Sequence, residues 1–388
     1  MKILINCSTL KKGGVLQVAH SFVMELLQRS DHDYYFIFST GLIKDLPDYI
    51  KEDKVRYFIH DVKPSLYKLL TGRNKVLDHI FSKVNPDIVF SLFGPTYWNP
   101  RSKHICGYAK ASYFYPDSPF IQKLPLFRRL KLLFLKQFHM NDFKKFNDVL
   151  ITETNDASTR LMGLLPSKRV FTVSNTYNQI FEQPDKWDHS HKLNSFDGIT
   201  LLSITANYRH KNLSIIPDVI KYLNVKYPDF KYRFVLTLKE NELNLSDESI
   251  RKHIISLGKV TIYQCPPLYQ NADFMFMPTL LECFSATYPE AMKMNVPILT
   301  SDMPFAKDVC ADAAIYFNPL SPESIGEAIY SLANNPQLVT EQKQRGQERL
   351  KTFNSSQSRA QQYIDILEQT YFPQKKNVKA HHSLVNLD

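Results

Sequence analysis

The chain contains no CxxC pair, no GxGxxG loop and no GxxxxGK(S/T) loop. Its five cysteines, Cys7, Cys106, Cys265, Cys283 and Cys310, are odd in number and far apart. That argues against a disulfide framework and gives a Cys-rich zinc site nothing to build on. Without the glycine patterns, both the dinucleotide fingerprint and the Walker reading fail. Zinc-finger, helix-turn-helix and RRM-like signatures are missing too, so nucleic-acid binding rests on net charge alone. No apolar run approaches the length of a transmembrane helix. The opening Met1-Lys-Ile-Leu-Ile-Asn-Cys7 turns polar too soon for a signal peptide. The expectation is a cytoplasmic protein.

What is there suits a globular chain of two domains. It has 388 residues, 44% of them hydrophobic and 22% charged. The two tryptophans are few beside 21 tyrosines and 26 phenylalanines. A formal net charge of +10 suits an anionic partner: a nucleotide, a phospholipid surface or nucleic acid.

Strand and helix patterns alternate. Strands are expected at 2–6, 34–38, 55–59, 87–90, 103–109, 148–152 and 169–173. Helices are expected at 15–28, 66–84, 126–147 and 155–164. The stretch 113–119, with two prolines, reads as a stiff aromatic loop. Between 175 and 198 the pattern weakens, and it then restarts. Strands are expected at 199–204, 232–237, 260–263, 273–277, 297–300 and 314–317. Helices are expected at 213–225, 268–271, 289–294, 322–334, 339–351 and 355–368. The division is an N-terminal α/β domain at 1–180, a linker at 181–198, a second α/β domain at 199–355, a helix at 356–372 that packs back towards the first domain, and a mobile polar tail at 373–388.

Three constellations carry chemistry. Glu282 and Glu290 flank Cys283-Phe-Ser-Ala-Thr-Tyr-Pro289, just after a strand. Loops there face ligands in an open parallel sheet. Carboxylates accept from polyol hydroxyls, and the peptide groups between them can donate to an anion. Two surface glutamates around a helix would show the same spacing. Arg209, His210 and Lys211 follow the first strand of the second domain, where a basic cluster can neutralise a diphosphate as its bond to a sugar breaks. A solvated basic loop is the alternative. Lys11-Lys-Gly-Gly14 is a tight turn that allows close backbone approach.

Together these residues resemble the retaining GT-B glycosyltransferases of family four (glycosyl transferases group 1), over roughly residues 1–370. Glu282 to Glu290 looks like that family's E-x7-E motif. Residues 291–301 and 315–320 are similar to its next segments. The resemblance implies an α/β GT-B fold, two Rossmann-like α/β/α domains facing each other across a cleft. The first holds an acceptor and the second a nucleotide-diphosphate sugar, UDP- or GDP-linked. It also implies a retaining, metal-independent transfer with no cofactor.

By the same resemblance Glu290 binds the donor ribose and Glu282 faces the transferred sugar. Lys211 holds the diphosphate, and Gly13 and Gly14 approach it. Phe284 and Ser285 join the donor site, and the base lies near 237–239 and 263–267. Two features depart from the family. Ala206 stands where an arginine is common, so Arg209 is the candidate for that charge. The loop 110–119 lacks the usual histidine, leaving Tyr113, Tyr115 and Asp117 as candidate acceptor contacts. His104 falls in or beside a strand.

The implied acceptor is a glycan or lipid-linked saccharide, in surface polysaccharide, lipopolysaccharide or glycolipid synthesis. The basic stretch 128–145 either packs as an amphipathic helix with a solvated side or meets an anionic membrane surface, peripherally on the inner face of the cytoplasmic membrane. Rival readings are a non-catalytic nucleotide- or nucleic-acid-binding α/β protein and an epimerase. The pairs Tyr222/Lys226 and Tyr227/Lys231 have an epimerase's Tyr-x-x-x-Lys spacing, but no dinucleotide loop accompanies them.

Overall fold

The computed structural model describes residues 1–11, 13–48, 50, 56–191, 193–243 and 247–372. The expected tail at 373–388 lies outside them, as do Lys12 of the glycine turn and Val55 at the head of the third expected strand.

Apolar runs such as Ile3-Leu-Ile5 and Ile88-Val-Phe90 are buried throughout, as strands covered on both faces must be. They build two parallel sheets. The first contains β1 (Lys2–Asn6), β2 (Asp33–Phe38), β3 (Tyr57–Ile59), β4 (Ile88–Ser91), β5 (Lys103–Gly107), β6 (Val149–Thr152) and β7 (Arg169–Thr172), in the order β3-β2-β1-β4-β5-β6-β7. The second contains β8 (Ile199–Ser203), β9 (Tyr232–Leu236), β10 (Ile254–Ser256), β11 (Phe274–Met277), β12 (Ile298–Ser301) and β13 (Ile315–Phe317), in the order β10-β9-β8-β11-β12-β13. Each order reverses direction once, between β1 and β4 and between β8 and β11. Such a switch point opens a crevice at the carboxyl ends of its strands.

Four helices matter most: α1 (Gly14–Leu26), α2 (Leu66–Thr71), α3 (Leu126–Phe146) and α4 (Ser356–Tyr371). α4 crosses back and packs on α1 and the first sheet. Phe22, Phe90 and Tyr363 form a cluster with ring centroids 5.1–5.8 Å apart, each pair worth about 0.5–1.5 kcal/mol beyond area burial. The two halves also touch through helices and loops around their sheets. The rings of Tyr115 and Phe305, and of Phe181 and Tyr269, lie 5.9 Å apart, and Ser118 Oγ donates to the Leu280 carbonyl at 2.6 Å.

Several elements differ from the sequence pattern. The helix expected at 66–84 is two, α2 and Lys75–Val84. The break is Gly72, at φ 66°, where a Cβ would stand 2.6 Å from Asn99 Cβ. The stretch 113–119 is a loop only over 115–118. It joins short helices at Ala111–Phe114 and Pro119–Gln122, with Pro119 in the first turn behind the Ser118 cap. That is the helical position a proline tolerates best. The strand expected at 260–263 is instead β10, at 254–256. Thr261 and Gln264 form a capping box that leads into the helix Cys265–Gln270. The helix Pro304–Cys310 had no counterpart in the pattern.

Candidate active site

Both switch points open onto one cleft. After β1 the chain turns through Gly13, at φ 84° and ψ −167°, and starts α1 at Gly14. Only glycine adopts that conformation without strain. Across the cleft the Tyr208 hydroxyl lies 3.6 Å from where a Gly13 Cβ would stand. After β8 the turn Arg209–Lys211 is fastened to the loop after β11, since Leu280 N–H donates to the His210 carbonyl at 2.7 Å. The Thr279 hydroxyl lies 3.1 Å from the same carbonyl and 3.2 Å from Glu282 Oε1. These contacts set Lys211 Nζ 2.5 Å from Glu282 Oε1, both side chains largely buried.

The cleft holds two neighbouring cavities. The larger, of about 750 Å³, is walled by Gly13 and Gly14 on one side and by Lys211, Ser285 and Glu290 on the other. Thr237, Leu238 and Lys239 also line it, and so does Ala206. Of residues 263–267, Cys265 reaches it. Its walls are basic. Lys11, Lys44, Lys211, Lys239, Lys259 and Arg359 outnumber the carboxylates Glu242 and Glu290. The smaller cavity, of about 400 Å³, is lined by Glu282, Phe284, His210, Lys110 and Glu153. Gly14, Asn175 and Ala286 border both.

The two glutamates differ in setting. Glu290 is buried, with the Tyr269 hydroxyl at 3.2 Å from Oε2, and burial pushes its pKa up to about 7. Glu282 is ion-paired to Lys211, and His210 Nε2 stands 3.9 Å away. Burial lowers the pKa of His210, more than the Glu282 charge offsets.

Four of the candidate donor and acceptor residues, Arg209, Tyr113, Tyr115 and Asp117, stay outside the cavities. Arg209 is exposed and lines neither, although it shares a turn with Lys211. Charge near Ala206 comes instead from Lys239 and Lys259 on the same cavity. Tyr113 and Tyr115 are buried and engaged elsewhere. The hydroxyl of Tyr113 meets His139 Nδ1 at 2.8 Å, and that of Tyr115 donates to Asp156 Oδ2 at 2.6 Å. Asp117 is exposed and lines neither cavity. His104 lies within β5, bonded to the Phe146 carbonyl and Ser91 Oγ, and burial lowers its pKa to about 4. Tyr222 and Tyr227 both donate to Glu327, a structural tie that accounts for the apparent Tyr-x-x-x-Lys pairs.

Four residues were not foreseen. Arg359, on α4, is buried at the larger cavity, bonded to Asn175 Oδ1 and Ser21 Oγ. Asn175 Nδ2 donates to Glu153 Oε1 at 2.8 Å. Glu153 is buried, and burial pushes its pKa up to about 7 although Arg359 draws it down. Lys110 lines the smaller cavity with its pKa lowered by burial. No hydrogen bond or ion pair holds its ammonium among the described residues. Local pattern gives no sign of this group, because Arg359 and Asn175 meet only through the return of α4. The one cue was position, since Lys110, Glu153 and Asn175 each follow closely on a strand of the first sheet.

Residues 185–349 match the family described as Glycosyl transferases group 1. The O-antigen chain mannosyltransferase RfbU of Salmonella typhimurium is 25% identical over 234 residues, 59% of this chain and 60% of that protein. The chain thus aligns with about 60% of the length of this curated relative. A glycosyltransferase from Rickettsia africae superposes with a TM-score of 0.67 at 13% identity, covering 95% of this chain and 98% of that one. Anabaena Alr3699/HepE, in complex with UDP and glucose, does so with a TM-score of 0.66 at 12% identity, covering 95% and 99%. At such identities the structural likeness shows the fold. With two parallel sheets around a shared cleft, the chain has the GT-B fold, and the match to the group 1 glycosyl transferases lies on the second of its two sheets.

Proposed function

We propose that this protein transfers a sugar, with retained anomeric configuration, from a nucleotide-diphosphate sugar to a hydroxyl of a glycan or lipid-linked saccharide. The pathway class is surface polysaccharide, lipopolysaccharide or glycolipid synthesis. One observation carries the reading: the Lys211–Glu282 ion pair stands where the two cavities meet, with Glu290 deep in the larger and glycines opposite. The larger cavity takes the nucleotide, Glu290 accepting from the ribose and Thr237 to Lys239 lying along the base. The smaller takes the transferred sugar and the acceptor, with Glu282 receiving sugar hydroxyls.

In this reaction the anomeric carbon–oxygen bond to the diphosphate breaks as the acceptor oxygen bonds to the same face of that carbon. The acceptor proton passes to the departing diphosphate oxygen. Lys211 meets the charge that grows there, and a fixed cation in a closed cleft is most effective against such charge. Lys211 leaves Glu282 in part to do so, which frees the carboxylate for the sugar. We read the transfer as metal-independent because this lysine and the basic walls supply the positive charge. The kinship with a mannosyltransferase supports a hexose donor, and the fold shared with a UDP complex supports UDP beside GDP as the carrier.

The test is release of free nucleotide from a panel of UDP-, GDP-, ADP-, dTDP- and CMP-sugars, with Glu290→Ala alongside and product configuration read by NMR. Release from one donor, lost in the variant, with retained configuration, is expected. Binding of no donor would overturn the reading in favour of a non-catalytic protein. An inverted product would overturn retention alone.

A further inference from the structure

The cleft is not the only functional surface that the fold builds. The second half of α3 buries His139, Met140, Asp142, Phe143 and Phe146 against the body. Its first half projects. Leu126, Phe127, Leu130, Leu133 and Phe134 are 48–70% exposed. At about 100° per residue these five form one stripe, on the face opposite the one its second half buries. An amphipathic helix packed on a sheet would show the reverse.

A second helix beside α3 exposes apolar side chains of its own. α2 packs beside α3 and exposes Leu66, Tyr67 and Leu70. These two helices are 60 residues apart in sequence, so no local pattern joins them. Apolar side chains this large rarely gather in the open without a partner.

The surroundings identify the partner. Residues 62–77 and 118–141 together contain nine lysines and arginines and no acid, in a chain whose net charge is +10. With the aspartates that bound them, Asp61, Asp78, Asp117 and Asp142, the two segments still carry nine cations against four acids, a net charge of +5 and half of the chain's total. Lys63, Arg73, Lys75, Lys123, Arg128 and Lys131 are all exposed. Leucines and aromatics bordered by cations fit an interface where acyl chains lie beneath anionic headgroups. Its exposed cations flank large apolar side chains on the same helices, the pairing an anionic bilayer surface rewards.

We propose that α2 and the first half of α3 form a single docking surface for an anionic lipid bilayer. The charged rim draws the protein to the headgroups, and the apolar stripe enters beneath them. Phe120, on the wall of the smaller cavity, stands six residues before α3 in the chain. Docking would therefore present the cleft to an acceptor held in the bilayer. The proposal rests on the glycosyl transfer reading only for that last step.

Flotation of the full chain with vesicles tests it, without any sugar substrate. Phosphatidylcholine vesicles are compared with vesicles containing about 30% phosphatidylglycerol, a lipid that supplies the negative surface. Recovery with the anionic vesicles should exceed that with the neutral ones by about tenfold or more, and should fall as salt is raised. The double variants Leu130→Glu/Phe134→Glu and Arg128→Glu/Arg129→Glu should each lose about tenfold. Val225→Glu, at an 85% exposed position on the second domain, should change nothing. Circular dichroism and thermal unfolding of the double variants should match those of the unmodified chain, which shows that they fold. Equal recovery on both lipids, no flotation, or flotation unchanged in the double variants would overturn the proposal. So would a dimer in light scattering that Leu130→Glu/Phe134→Glu dissolves, since the stripe would then cover a second copy. A failure here leaves the nucleotide-release result standing, and the reverse holds too.

Discussion

Glu282 and Glu290 end one short segment and occupy opposite electrostatic settings. Glu282 faces the smaller cavity with Lys211 at 2.5 Å. Glu290 faces the larger one, buried, with Tyr269 as its hydrogen-bond donor and a pKa of about 7. Identical side chains thus become a charge-paired acceptor in one cavity and a carboxyl held near its titration point in the other. The difference arises because the loop after β11 is fastened to the Arg209–Lys211 turn, whereas Glu290 is carried inward by the helix Thr287–Lys293. On the proposed reading both carboxylates receive hydroxyls, the transferred sugar's at Glu282 and the ribose's at Glu290, and only the Glu282 end has a cation, Lys211, to meet the leaving-group charge.

Removing the cation should break the contrast most severely. Lys211→Ala is expected to lower turnover by about 10²–10³ and to affect donor affinity less, as steady-state and binding measurements will show.

Glu153→Gln asks whether the second carboxyl of the smaller cavity carries its own cost. Burial raises the Glu153 pKa from 4.5 to about 7. A raised carboxyl pKa gives stability that is complete below the unfolded-state value and lost as pH rises through the folded one. The variant, which resembles the protonated form, should match the unmodified chain near pH 4. It should exceed it by on the order of 3 kcal/mol near pH 8. Urea unfolding at both pH values checks this, and equal stability at pH 8 would count against a buried charge.

Glu290→Ala should weaken donor binding about 10- to 100-fold, the weight of hydrogen bonds to a charged group, as read by calorimetry. Gly13→Ala places a side chain at φ 84°. It should cost about 1–3 kcal/mol in thermal unfolding and should leave the glutamates undisturbed. Arg209→Ala sharpens the contrast by doing little. An exposed side chain outside both cavities should alter stability by under about 0.5 kcal/mol and change turnover less than twofold.

The strands were legible because parallel sheets buried on both faces leave unbroken apolar runs, and the motif residues were legible because they follow such runs. Glu282, Glu290, Lys211 and the two glycines all lie within a few residues of a strand end or helix start. What stayed hidden depends on contacts distant in sequence. Arg359 reaches the cleft only because α4 returns to the first domain, and Gly72 breaks a helix only because Asn99 packs against it. Tyr113 and Tyr115 read as open acceptor contacts, since nothing local shows that His139 and Asp156 occupy their hydroxyls. Arg209 shares a three-residue turn with Lys211, yet their side chains part company, a matter of turn geometry that spacing does not encode.

The division of labour between the two glutamates is tested most directly by calorimetric titration with a nucleoside diphosphate and with its 2′,3′-dideoxy counterpart, which lacks the ribose hydroxyls. The unmodified chain should bind the dideoxy compound at least about tenfold more weakly, and Glu290→Gln should distinguish the two far less. Glu282→Gln should keep the full difference. Equal affinity for both compounds in the unmodified chain, or loss of the difference through Glu282→Gln alone, would contradict the assignment of the ribose to Glu290.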